Sequence, residues 1–220
     1  MKSTRTILLV SIFAMAFAFV ESSVVVYLRQ ISYPEGFAFP LKPGITSQIA
    51  VEVSREFATI VMLITIGMIA GTNRWQRISY FLIAFGVWDI FYYVWLKIIL
   101  DWPSSLFDWD ILFLLPIPWI GPVIAPVLVS LVMIAGGVLL LRKEEETGSF
   151  RASGTATVLV LLGSAAVLFS FLLDTDASLR FQYPNAYHYE LLFLGMVCYA
   201  GAFIGTARRS TTTWKHGRDH

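Results

Sequence analysis

Six long apolar runs, separated by short polar breaks, organise this chain. They cover about residues 7–28, 48–70, 78–100, 118–141, 155–173 and 186–206. Helices of about 20 residues rise ~30 Å, the thickness of a bilayer's hydrocarbon core. The pattern therefore predicts six transmembrane helices. The breaks carry the turn residues. Pro34, Gly36, Pro40, Pro43 and Gly44 mark a loop over 29–47. Residues 72–77 read as a tight basic turn, 142–153 as a solvated loop, and 174–185 as a polar connection. Lys2 and Arg5 before the first run resemble the start of a signal peptide. The length of the run, and the lack of a clear small-x-small cleavage site before a polar mature start, favour a retained span.

One region departs from plain apolar helix. Trp102, Pro103, Ser104 and Ser105 read as a stop followed by a new start. The stretch 105–115 then predicts a short interfacial helix, with Trp102 and Trp109 at headgroup depth. Pro118, Pro122 and Pro126 follow, four residues apart. Each lacks an amide donor and clashes with the preceding turn, so the fourth span should enter kinked or partly unwound.

Composition agrees with a membrane protein. The chain is 57% hydrophobic and 14% charged, with a mean hydropathy of +0.70. The expected fold is an all-α integral membrane protein. It is a single six-helix domain over residues 1–220, with a polar tail at 207–220. Eleven of the 16 Lys and Arg residues fall on the side that holds both termini. The positive-inside rule then puts both termini in the cytoplasm, the bundle lying in a cell or inner membrane. Basic residues that flank spans, at a net charge of +1, give no support for nucleic-acid binding. Cys198 is the one cysteine, so neither an internal disulfide nor a Cys-based metal site can form.

Charged residues inside the apolar runs are the candidate chemistry. Such residues are costly in a bilayer and usually face a bundle interior or a cavity. Glu52 and Glu56 are four apart and share a helix face, with Arg55 able to bridge either. Glu21 interrupts the first span and Asp89 the middle of the third. His188 and Glu190 open the sixth; two residues apart, they should point to different faces of a helix. With the termini inside, all seven fall in the outer leaflet or at mid-membrane.

The expected function is an acid-rich intramembrane site in the extracytoplasmic half. It would bind an ion or small molecule, with proton or cation coupling as the natural use of the carboxylates. A divalent metal held by Glu52, Glu56, Asp89 and His188 is a further expectation. Oxygen ligands would favour Mg²⁺, Ca²⁺ or Mn²⁺ over copper. Two rival uses stand beside it: an enzyme acting on a lipid-soluble substrate through paired acids or a carboxylate-bound metal, and a subunit whose polar seam meets partner membrane subunits. The sequence carries no P-loop, no Rossmann glycine pattern, no Gly-x-Ser-x-Gly and no His-Glu-x-x-His.

Overall fold

A computed structural model of the chain describes residues 2–32, 46–148 and 150–213. The proline- and glycine-containing loop over 33–45 and the end of the tail, 214–220, lie outside the described residues. Helix α1 spans Lys2–Ser32, α2 Thr46–Ala70 and α3 Arg74–Leu100. Strands β1 (Trp109–Phe113) and β2 (Trp119–Pro122) follow. Then come α4 (Ile124–Thr147), α5 (Gly154–Leu172), the short α6 (Thr175–Leu179) and α7 (Tyr189–Thr213). Six of these helices are long and apolar enough to cross a membrane.

Helix α3 is the hub. It packs against α1, α2 and α4, while α5 pairs chiefly with α7. The α3 helix begins where the Asn73 side chain accepts the Trp75 and Gln76 amides at 3.0 and 3.1 Å. This is an N-cap that satisfies two otherwise unpaired donors. It ends at Asp101, whose φ of 54° turns the chain out of the helix. The core between α1 and α3 is apolar, with Ala14, Phe17 and Ala18 against Ile83, Ala84 and Trp88. Small residues bring α3 and α4 together. A Cβ on Gly86 would come 2.6 Å from the Ser130 carbonyl, and one on Gly137 2.7 Å from the Ser79 carbonyl. Close backbone approach through small residues is the usual way membrane helices associate.

The structure corrects the expectations for 105–122. No interfacial helix forms over 105–115. Residues 109–113 are a strand, paired antiparallel with 119–122 in the register Trp109↔Pro122, Asp110↔Gly121, Ile111↔Ile120 and Phe113↔Trp119. The reason lies in the prolines. A residue before proline is pushed from helical to extended backbone, and Leu115, Ile117 and Gly121 each precede one. The extended segment must pair its remaining amides, and β1 provides the partner.

The fourth span is likewise displaced. It runs over Ile124–Thr147 rather than 118–141. Pro118 and Pro122 precede the helix, and Pro126 lies in its first turn. An amide there has no intrahelical partner, so the prolines set the start of the helix. At the other end, Glu144 belongs to the helix and not to a solvated loop. It is buried, and accepts the Asn73 side-chain amide at 3.0 Å and the Phe150 backbone amide at 2.8 Å. Helix α1 also runs past its expected end, so Arg29 is helical rather than in a loop. Helix α7 extends to Thr213, into the expected tail.

Candidate functional site

Five of the seven candidates converge where α1, α2, α3 and the hairpin meet. Glu21 of α1 is 4% exposed. One of its carboxylate oxygens accepts the Thr59 hydroxyl at 2.6 Å, and the other pairs with the Arg55 guanidinium. Arg55 also donates to Glu52 at 2.7 Å, so a single guanidinium serves two carboxylates. Glu56, one residue along α2, takes no part in that pairing. Its Oε2 accepts the Leu114 amide at 2.7 Å. Leu114 lies just past β1, where the ladder has ended and its amide is free to leave the sheet. Asp89 of α3 accepts the Ser130 hydroxyl of α4 at 2.8 Å. Its other oxygen has no hydrogen-bond partner among the described residues.

Two residues outside the expected set join this region. Arg29 of α1 and Asp110 of β1 form a buried ion pair at 3.0 Å, and the Arg29 guanidinium lies 3.8 Å over the Trp102 ring. Asp110 is 2% exposed. Burial pushes its carboxyl up to about 6, against the opposing pull of Arg29, the Ile111 amide and the Tyr93 hydroxyl. The signal for Asp110 was an acid within the apolar Trp-Asp-Ile-Leu-Phe run, between prolines. Arg29 and Thr59 gave no such signal, since a basic residue at a span end and a threonine within a span are both ordinary.

Between these groups lies a polar pocket of about 50 Å³. Glu21, Arg55, Glu56, Thr59 and Asp89 line it, with the rings of Trp88, Tyr92 and Tyr93 and the edge of β1. That volume suits a water-sized occupant, since one water takes ~30 Å³ of the liquid. Asp89, Leu112 and Phe113 also line a second, larger cavity of about 650 Å³ among α3, α4, α5 and α7. Its walls are almost wholly apolar.

His188 and Glu190 are not part of this assembly. His188 precedes α7, so the helical facing argument does not apply to it. Its Nδ1 lies 2.6 Å from Glu190 Oε1, and both side chains are exposed. No hydrogen bond or ion pair ties either to the other five residues among those described. The expected metal set is therefore not assembled. Glu52 goes to Arg55, Glu56 to a backbone amide, Asp89 to Ser130 and His188 to Glu190. Among the described residues, no group of three or more His, Cys, Asp or Glu side chains is placed to hold a metal ion.

Fold and composition define the class, a helical protein of the lipid bilayer. Comparison of the chain with family models, curated proteins and solved structures finds no match.

Proposed function

We propose that this protein binds and releases a proton at Glu56 and Asp89 inside the membrane, as the ion-binding step of a coupled small-molecule activity. The observation that carries this reading is the imbalance of charge. Among the described residues, five carboxylates (Glu21, Glu52, Glu56, Asp89 and Asp110) gather with two guanidinium groups, Arg29 and Arg55. The guanidinium groups contact Glu21, Glu52 and Asp110 directly. Glu56 and Asp89 are held by uncharged donors. Arg55 reaches Glu56 only through space, and an ionised carboxylate with no cation in direct contact is costly at membrane depth, so these two are the groups that favour taking up a proton or a small cation. A proton suits them better than a divalent metal, because Ca²⁺ or Mg²⁺ needs roughly six or more oxygen ligands.

The division of labour follows. Glu21 and Arg55 join α1 to α2, with Glu52 holding the guanidinium from within α2, and Arg29 with Asp110 fixes the hairpin to α1. Glu56 and Asp89 are the working pair. The clustering of basic residues supports cytoplasmic termini, with the site opening to the other side.

Trp88 lines the pocket and serves as the reporter in a chain whose six other tryptophans are replaced by phenylalanine. In detergent-solubilised protein, tryptophan fluorescence is expected to follow pH with a saturable transition, and to change little with Na⁺, Mg²⁺ or Ca²⁺ at fixed pH. Glu56→Gln and Asp89→Asn should remove the transition and leave the unfolding temperature near that of the native chain. A native protein with no transition, together with a large drop in unfolding temperature for both variants, would make the seam a structural clamp and reject the proposal.

A further inference from the structure

The cavity of about 650 Å³ beside the polar pocket has the form of a binding site for one long chain with a polar end. It runs along α3 from Trp75 to Asp89. Fourteen residues of helix cover ~21 Å, more than the ~15 Å of one leaflet. Leu82, Phe85, Val129, Met133 and Val160 are among its apolar walls. Asp89 and Ser130 lie at one end, where Asp89 retains an oxygen with no hydrogen-bond partner among the described residues. On one flank Leu161, Leu168 and Phe203 are exposed, so the cavity opens sideways onto the lipid-facing surface. An entrance of that kind admits a molecule dissolved in the bilayer. Largely apolar walls with a few placed polar groups are the general pattern of small-molecule sites.

The geometry points to a lipid-soluble amphiphile with a single long apolar chain and a cationic, hydrogen-bond-donating head such as an amine, with the head on Asp89. The excess of carboxylates around the adjoining pocket sets the sign of the head. An anionic head would meet repulsion there, and a cationic one would provide the charge that Asp89 lacks. This inference rests on the proposed function in taking Asp89 as a working group. It adds the ligand class, and with it an exchange in which amine and proton compete for one carboxylate.

Gly136 gives a clean means of testing it. It lines the cavity, and a Cβ built there meets nothing within 4 Å. Gly136→Phe should fill the space without straining α4, since phenylalanine is the better helix former. Gly205 is equally open but is not among the lining residues, so Gly205→Phe is the control. The measurement is saturable binding of tritiated octadecylamine to the full-length protein in detergent, competed by unlabelled octadecylamine, octadecanol, octadecanoate or butylamine.

The native chain and Gly205→Phe should bind octadecylamine saturably, and Gly136→Phe should lose at least tenfold in affinity. Asp89→Asn should weaken the amine about tenfold and octadecanol by less than about threefold, as charged hydrogen bonds are roughly twice as strong as neutral ones. Octadecanoate and butylamine should compete poorly. No saturable binding, or equal binding by Gly136→Phe, would overturn the site. Better competition by octadecanoate, or an Asp89→Asn variant indifferent to the amine, would overturn the assignment of the head. Neither result touches the pH transition reported by Trp88, so the proton reading stands or falls separately.

Discussion

At the scale of single residues, environment separates carboxylates that look alike in the sequence. Asp110 and Asp89 are both acids inside apolar stretches, yet one has a guanidinium at 3.0 Å and the other a serine hydroxyl. Removing one partner of a buried ion pair leaves an uncompensated charge, which costs about 3–5 kcal/mol. Arg29→Met should therefore lower stability by that order, measured as the midpoint of denaturation in detergent. Asp110 also gives a pH dependence. Its folded value, about 6, lies above the ordinary value for aspartate of ~3.9. The native state then holds the proton more tightly than the unfolded state. Stability from this group is present below pH ~4, is lost as the pH rises to about 6, and is flat above that. The native chain should show this fall and Asp110→Asn should lack it. A native profile that rises over the same window would mean that folding disfavours the protonated form of Asp110. Glu21, Glu52, Arg55, Glu56 and Asp89 were legible as candidates because charge within an apolar run stands out. Their partners Thr59, Ser130 and the Leu114 amide were not, because small hydroxyls and backbone amides occur throughout membrane helices without special meaning.

At the scale of elements, the site depends on two joints. One is the α3–α4 contact at Gly86, which brings Ser130 within reach of Asp89. Gly86→Ala would put a methyl group 2.6 Å from the Ser130 carbonyl. The helices would have to part, at a cost of ~1–3 kcal/mol, and the Asp89–Ser130 bond would lengthen. A reduced unfolding midpoint in Gly86→Ala, with Gly136→Ala near native, checks this. The other joint is the hairpin, which delivers the Leu114 amide to Glu56 and the Asp110 carboxylate to Arg29. Run length and the polar breaks between runs made the six helices legible. The hairpin was not, because Ser105 to Leu115 offers a plausible helix start followed by apolar residues. The deciding force came from prolines downstream, acting through a pairing with β1 that no local window contains.

At the scale of the whole molecule, the bundle has two parts. Helices α1 to α4 and the hairpin enclose the polar network, and the α5–α7 pair closes the far wall of the apolar cavity. Asp89 belongs to the lining of both spaces. The proposed function requires Glu56 and Asp89 to carry an exchangeable proton within the membrane. The most direct measurement is infrared difference spectroscopy of the protein in lipid across a pH step, read in the carbonyl stretch of protonated carboxyl groups. A band that appears at low pH, and is diminished separately by Glu56→Gln and by Asp89→Asn, is the predicted result. An unchanged band in both variants, or no band in the native chain, would rule out an exchangeable proton on these two residues.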